Sequence, residues 1–315
     1  MLKRLIYGNP NRPDAEGLPT PKTRKKLFTQ QLSVHFLSMI FPCLVCFAFF
    51  LPALIWTELT MRAVPLTEEG LADLSSTAFI TTYLVGLAVG IFVTGPAIAG
   101  FSLLMRNWAR GEHSSRWSTF FGGIKRNWKQ GLLCSFVSGL LPLFAYSALN
   151  YYGNLGQTNS LWYLVPFALC ALVCIFWLLM QQLIYTMVVT YALPFRAIVK
   201  NALLVSILEL PKSLLVLLLS ALPLGLFGLL LYLLPSRMGL TVVVGFAYYA
   251  FIGVALERFL FASFANYACE KHINPRVPGA RVDIGLSTER EVTEEDVNSA
   301  PVDEPSELSD ETTEE

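Results

Sequence analysis

Charge is what this chain has least of. Only 15% of its 315 residues are Asp, Glu, Lys or Arg, against 54% apolar, and mean hydropathy is +0.53. Soluble domains average about 25% charged residues, so a soluble fold, a wholly disordered chain and a nucleic-acid binder are excluded. Histidine is scarce, at three residues, and no stretch reads GxxxxGK[ST], HExxH or GxSxG. The backbone cradle for nucleotide phosphates, the helical zinc site and the strained nucleophile turn therefore have no residues to build them. The expectation is a protein that is not an enzyme and takes no cofactor or metal. Cysteine is present but unpromising for disulfides. Cys43, Cys46, Cys134, Cys170 and Cys174 fall in apolar runs and Cys269 follows the last one. Cys43-x-x-Cys46, in a Phe- and Leu-rich run, reads as small apolar filler. The mostly polar 33 residues before the first apolar run, and the length of that run, do not fit a secretory signal.

What the chain has in abundance is long apolar sequence. About 20 apolar residues in a helix cross roughly 30 Å of hydrocarbon. Six stretches qualify: Val34–Trp56, Thr77–Leu104, Gly131–Tyr152, Leu161–Thr190, Ser213–Leu234 and Leu240–Ala265. Each must be helical to satisfy its own backbone in lipid. The fifth carries fifteen Leu, Val or Phe residues, which favour insertion by roughly 5–9 kcal/mol. The fold class is thus all-α integral membrane, with a basic arm (1–33), a six-helix domain (34–265) and an acidic, mostly disordered tail (266–315).

Net charge is zero, yet it is segregated. Residues 1–265 hold 19 basic and 9 acidic residues, and residues 266–315 hold 4 and 14. The arm, the second loop (Arg106, Arg110, Arg116, Lys125, Arg126, Lys129) and the fourth (Arg196, Lys200, Lys212) are basic. The first loop is acidic through Glu58, Glu68, Glu69 and Asp73, and the third has no charge. This alternation places both termini in the cytoplasm. In the second loop Trp117, Phe120, Phe121, Ile124 and Trp128 fall on one helical arc, with Lys125, Arg126 and Lys129 off it. That pattern predicts an amphipathic helix lying in the interface, whose surface suits membrane lipid or a partner protein; Gly122 and Gly123 weaken it.

Within the spans, Glu257 and Arg258 stand out, because two charges cost about 5–7 kcal/mol at mid-bilayer. They must be off-centre, paired or facing protein. As neighbours in sequence they point about 100° apart and make poor partners for each other. Gln181 and Gln182 read as interhelical hydrogen-bonding groups. Thr94-Gly95-Pro96 predicts a kink or break in the second span.

The stretch from Thr94 to Glu112, TGPAIAGFSLLMRNWARGE, resembles the signature of the YesL-like bacterial membrane proteins, a domain of unknown function in which a GPA-x-A/G helix runs into R-x-x-x-RGE. Phe120-Phe121-x-x-x-Lys125-x-Asn127-x-Lys129-Gln130, Lys200-Asn201 and Leu210-Pro211 are also similar to that family, so the resemblance covers about residues 28–270. It marks Gly95, Pro96, Arg106, Arg110, Gly111 and Glu112 as family-like positions without assigned roles. It implies a multi-pass protein of the bacterial plasma membrane associated with carbohydrate ABC import, whose partners are importer permeases and a solute-binding protein. Two roles stay open: an accessory or regulatory subunit, or a permease. A lipid-dependent scaffold or sensor is a third. An ABC permease carries E-A-A-x-x-x-G in an inner loop; the loop here reads Phe195-Arg196-Ala197-Ile198-Val199-Lys200-Asn201, a departure that weighs against docking on an ATPase. Substrate and oligomeric state are not legible.

Overall fold

A computed structural model describes residues 21–64, 76–156, 161–277, 280 and 282–286. Readings placed on the arm before residue 21, on Glu68, Glu69 and Asp73, and on the acidic stretch after 286 lie outside the described residues. Among the described residues every regular element is helical. Five helices are long and apolar enough to cross a bilayer. They number six if the pair Arg24–His35 and Leu37–Ala48, bent by 63°, counts as one.

The first predicted span, Val34–Trp56, is not one helix. Helix α1 (Arg24–His35) gives way to a 3-10 turn at Leu37–Met39, then α2 (Ile40–Ala48) and α3 (Leu51–Arg62). Pro42 and Pro52 have no N–H for the carbonyls four residues back. At the second break the amides of Phe49 and Phe50 turn to Cys46 and Phe47 carbonyls, at 3.1 and 2.8 Å. The broken rod still follows the next helix, α4 (Thr77–Ala109), from end to end in antiparallel sense. His35 stacks on Trp108 at 4.6 Å, Ala53 meets Gly90, and Trp56 Nε1 donates to the Tyr83 carbonyl at 2.9 Å.

Helix α4 runs unbroken through Pro96, so of the predicted kink or break the break does not occur. The proline cannot donate to the Phe92 carbonyl, and Ser135 Oγ donates to it instead, at 2.7 Å. Ser135 belongs to α5 (Arg116–Gly156). The two helices touch backbone to backbone. A methyl group on Gly95 would stand 2.2 Å from the Gly131 carbonyl oxygen, and one on Gly123 would stand 2.8 Å from Gly100 Cα. Small residues permit such approach where lipid supplies no hydrophobic drive between helices. The predicted interfacial helix is likewise corrected. Residues 117–129 are the first turns of α5, a continuous helix of 41 residues, about 60 Å long, and Gly122 and Gly123 cause no break because Gly123 is a packing site.

The remaining helices long and apolar enough to cross are α6 (Leu164–Thr190), α8 (Leu210–Leu233) and a run made of α9 (Met238–Tyr248), a π-helical turn at Tyr249–Gly253 and α10 (Val254–His272). Helix α7 (Phe195–Leu208) lies in the predicted fourth loop and buries Ile198, Ala202 and Val205. Large exposed apolar side chains stop at Val93 on α4, Leu178 on α6 and Phe251 on the last run. Beyond those points the same helices turn inward and form a tightly packed cap with α1, α2 and α7 around Phe101, Leu104, Trp108, Leu183, Ile198 and Phe259. The bundle therefore has a lipid-type zone, apolar outside, and a cap in which α4, α6 and α10 turn their apolar side chains inward, while α2 and α7 still expose Phe41, Leu44, Leu204 and Leu208. Residues 266–272, read from sequence as the start of the tail, are the buried end of α10.

If the α4–α5 contact holds the bundle, Gly131→Val will abolish a monodisperse detergent-solubilised species, because backbone atoms cannot give way. Gly153→Ala, with nothing within 4 Å, will leave it intact. Ser135→Ala will lower stability by about 1 kcal/mol through the orphaned Phe92 carbonyl, measured by thermal unfolding in detergent.

Candidate functional site

Three features of the cap and its edge bring the sequence-selected residues together. The first is the R-x-x-x-RGE turn at the end of α4. Arg106 donates to the Val189 carbonyl at 3.1 Å and to Asn107 Oδ1 at 2.7 Å, tying α4 to the end of α6. Arg110, buried, donates to Asn266 Oδ1 of α10 at 3.0 Å. Gly111 turns the chain with φ +72, a conformation that suits glycine, and this brings Glu112 within 3.7 Å of both arginines. The turn is a structural clasp joining three helices. Burial lowers the Arg106 pKa to about 10, with Arg110 adding to the effect; the group stays protonated at neutral pH.

Two further acidic residues serve the cap, and sequence reasoning passed over both. Glu209, between α7 and α8, receives Lys271 Nζ at 2.6 Å, His272 Nε2 at 2.9 Å and Lys212 Nζ at 3.1 Å. Burial pushes its carboxyl up, but the hydrogen bonds from Lys271, His272 and Lys212 outweigh that and hold it down at about 2. Glu270 holds Arg24 of α1 and accepts from the Asp283 amide at 2.9 Å. Their only sequence signal was acidic residues beside basic ones at element ends.

The second feature is the α5 ridge. The predicted apolar arc splits. Phe120 is fully buried against Phe101, and Ile124 packs beside Gly100. Phe121 is 52% exposed, Trp128 is 46% exposed, and Lys125, Arg126 and Lys129 are exposed. Trp117 stacks on Phe121 at 6.1 Å, and Lys129 Nζ lies 5.5 Å from the Trp128 ring.

The third is a cavity of about 300 Å³ at the junction of the two zones. Thr94 of α4, Ser135 and Ser138 of α5, Gln181 and Tyr185 of α6, Ser220 of α8, and Glu257 and Arg258 of α10 line it. Contrary to the expectation from sequence spacing, Glu257 and Arg258 are partners: Nη2 donates to Oε1 at 3.0 Å. The guanidinium bends back over the Phe261 and Tyr185 rings, at 5.0 and 5.6 Å, and that bend closes the angle between neighbouring residues. The pair is also off-centre. Ser138 lies nine residues from Lys129 and Ser220 eight from Lys212, about 12–14 Å at helical rise. Gln181 donates to Ser138 Oγ at 2.9 Å, as Trp177 does at 3.2 Å. Gln182 does not reach the cavity; it donates to the Ser213 carbonyl at 2.9 Å and holds α8.

With this geometry in place, the comparison with known families falls on one segment. Residues 74–149 match the family described as a protein of unknown function, DUF624. The DUF624 segment comprises α4, the arginine clasp and most of α5, so it holds every family-like position from Gly95 to Glu112 and the whole ridge. It agrees with the YesL-like resemblance; Lys200-Asn201 and Leu210-Pro211 lie beyond it. No curated protein and no solved structure matches the chain.

Because the carboxyl of Glu209 sits below its ordinary value of 4.5, its contribution to stability is complete above pH 4.5 and is lost as pH falls toward 2. Glu209→Gln will lower the unfolding free energy by about 2 kcal/mol at pH 7. The gap to wild type will narrow steadily below pH 4.5, as followed by thermal unfolding across a pH series.

Proposed function

We propose that this is a non-catalytic integral protein of the bacterial plasma membrane with six crossings, the broken segment Val34–Trp56 supplying the first. Its cap and both chain ends face the cytoplasm, and it acts as an accessory or regulatory component of carbohydrate ABC import. The observation that carries a docking role is the height of the ridge. Trp128 stands at the edge of the lipid-type zone, and Phe121 and Trp117 follow seven and eleven residues earlier on the upright α5. That is about 10 and 16 Å farther out, whereas the headgroup layer adds only about 5–8 Å per side. The exposed Phe121, with the half-buried Trp117 stacked on it, lies above lipid at that height and suits a protein partner, with Lys125, Arg126 and Lys129 supplying charge beside it. The importer setting rests on the family resemblance alone. A transport role is the second reading, favoured by the polar cavity at the zone junction.

Affinity purification from native membranes in mild detergent, at low and moderate salt, tests the docking role. Importer permeases and a solute-binding protein are expected to co-purify. Recovery should fall more than tenfold with Lys125→Glu, Arg126→Glu and Lys129→Glu combined, and with Trp117→Ala and Phe121→Ala combined. Recovery of the protein alone under every condition refutes a stable complex.

A further inference from the structure

We infer that the junction cavity is a binding site for a small, uncharged polyhydroxyl group, held by Arg258, Glu257 and Gln181. The inference is independent of the ridge and of the importer setting. It starts from what the lining residues leave unused. Arg258 commits one N–H, to Glu257 Oε1, out of the five a guanidinium carries. Glu257 Oε2 and Gln181 Oε1 accept no hydrogen bond among the described residues, while Ser138 already receives both Gln181 and Trp177. The cavity thus presents free donors and free acceptors side by side, between the apolar side chains of Phe50, Tyr185 and Phe261.

The mated ion pair decides the ligand's charge. Arg258 and Glu257 already balance each other's charge, so an anion or a cation would each bring an unbalanced net charge into the cavity. That charge would stand uncompensated against a partly buried, apolar-flanked wall, where Arg258 is 13% and Glu257 32% exposed, and an unpaired charge there is costly. A molecule with adjacent hydroxyls can accept from Arg258 and donate to Glu257 Oε2 and Gln181 Oε1 while the pair stays joined. The volume of about 300 Å³ equals the share of about ten water molecules, which suits a three- to six-carbon polyol. Two further details fit a binding role. A π-helical turn, a form frequent at functional sites, ends at Gly253, one turn before Glu257. One wall is α8, of which only Ser213 and Val216 are buried, so few side chains tie that wall to the rest of the bundle. The hydroxyl groups could come from water, as a free polyol, or from the bilayer, as the glycerol head of a lipid.

Native mass spectrometry of the full chain released from detergent tests this with glycerol, glucose and 1-monooleoylglycerol as uncharged probes and choline and glutamate as charged controls. The expected result is a saturable one-to-one adduct with at least one uncharged probe and none with the controls. A free polyol or the monoacylglycerol as the sole binder identifies the aqueous or the lipid source. Glu257→Gln should weaken the adduct at least tenfold. Gln181→Leu, which leaves the ion pair joined and the fold intact by thermal unfolding, should do the same. The inference is overturned if no uncharged probe gives a saturable adduct, if the adduct survives Gln181→Leu, or if choline or glutamate binds more tightly.

Discussion

The contact on which this architecture depends is the backbone-to-backbone approach of α4 and α5. Four glycines, Gly95 with Gly131 and Gly100 with Gly123, let two long helices lie closer than side chains allow. Lipid gives no hydrophobic reward for association, so close packing and interhelical hydrogen bonds must hold the pair. The hydrogen bond from Ser135 to the Phe92 carbonyl is available only at that separation, and it gives that carbonyl the donor that Pro96 lacks. The same approach sets Thr94, Ser135 and Ser138 along one wall of the junction cavity. It also keeps α5 upright, so the ridge is a fixed projection.

Above that contact the physics of the chain changes. Where the helices carry exposed Leu, Val and Phe, few polar groups need partners. In the cap, Arg110, Asn266, Glu209 and Glu270 are buried and bound to one another's elements. Buried charged groups are tolerated only when paired and hydrogen-bonded, and the clasp at Arg106, Arg110 and Glu112 meets that condition while joining α4, α6 and α10. The basic residues counted in the sequence as orientation signals therefore divide in two. Arg106, Arg110 and Lys212 hold the cap together, and Lys125, Arg126 and Lys129 face outward.

The apolar runs were legible because spanning length is a property of consecutive residues, and all six coincide with helical chain. The two zones were not. Ala97–Leu104 and Leu214–Leu219 both belong to apolar runs of spanning length, and an apolar residue facing protein reads the same as one facing lipid. Pro96 signalled a break because the sequence does not display the serine that replaces its missing hydrogen bond. Breaks do fall beside Pro42 and Pro52 in the first span, whereas Pro142 and Pro223 lie inside continuous helices, so a proline alone does not tell the two outcomes apart. Helix α7 carried its signal in Ile198, Ala202 and Val205, at spacings of four and three, hidden by attention to the loop's charges. The pairing of Glu257 with Arg258 depends on the length of an arginine side chain folding back over Phe261, which residue spacing alone does not encode.

The salt link from Arg24 to Glu270, with Asp283 close by at 3.5 Å, joins parts of the chain about 250 positions apart. Pro21 and Leu286 line one and the same recess beside the arginine clasp. Two halves of a split reporter, fused before Pro21 and after Leu286, would thus be tethered to a common point and could reassemble within a single molecule. The extent of that reassembly would then track whether the first and last helices stay joined.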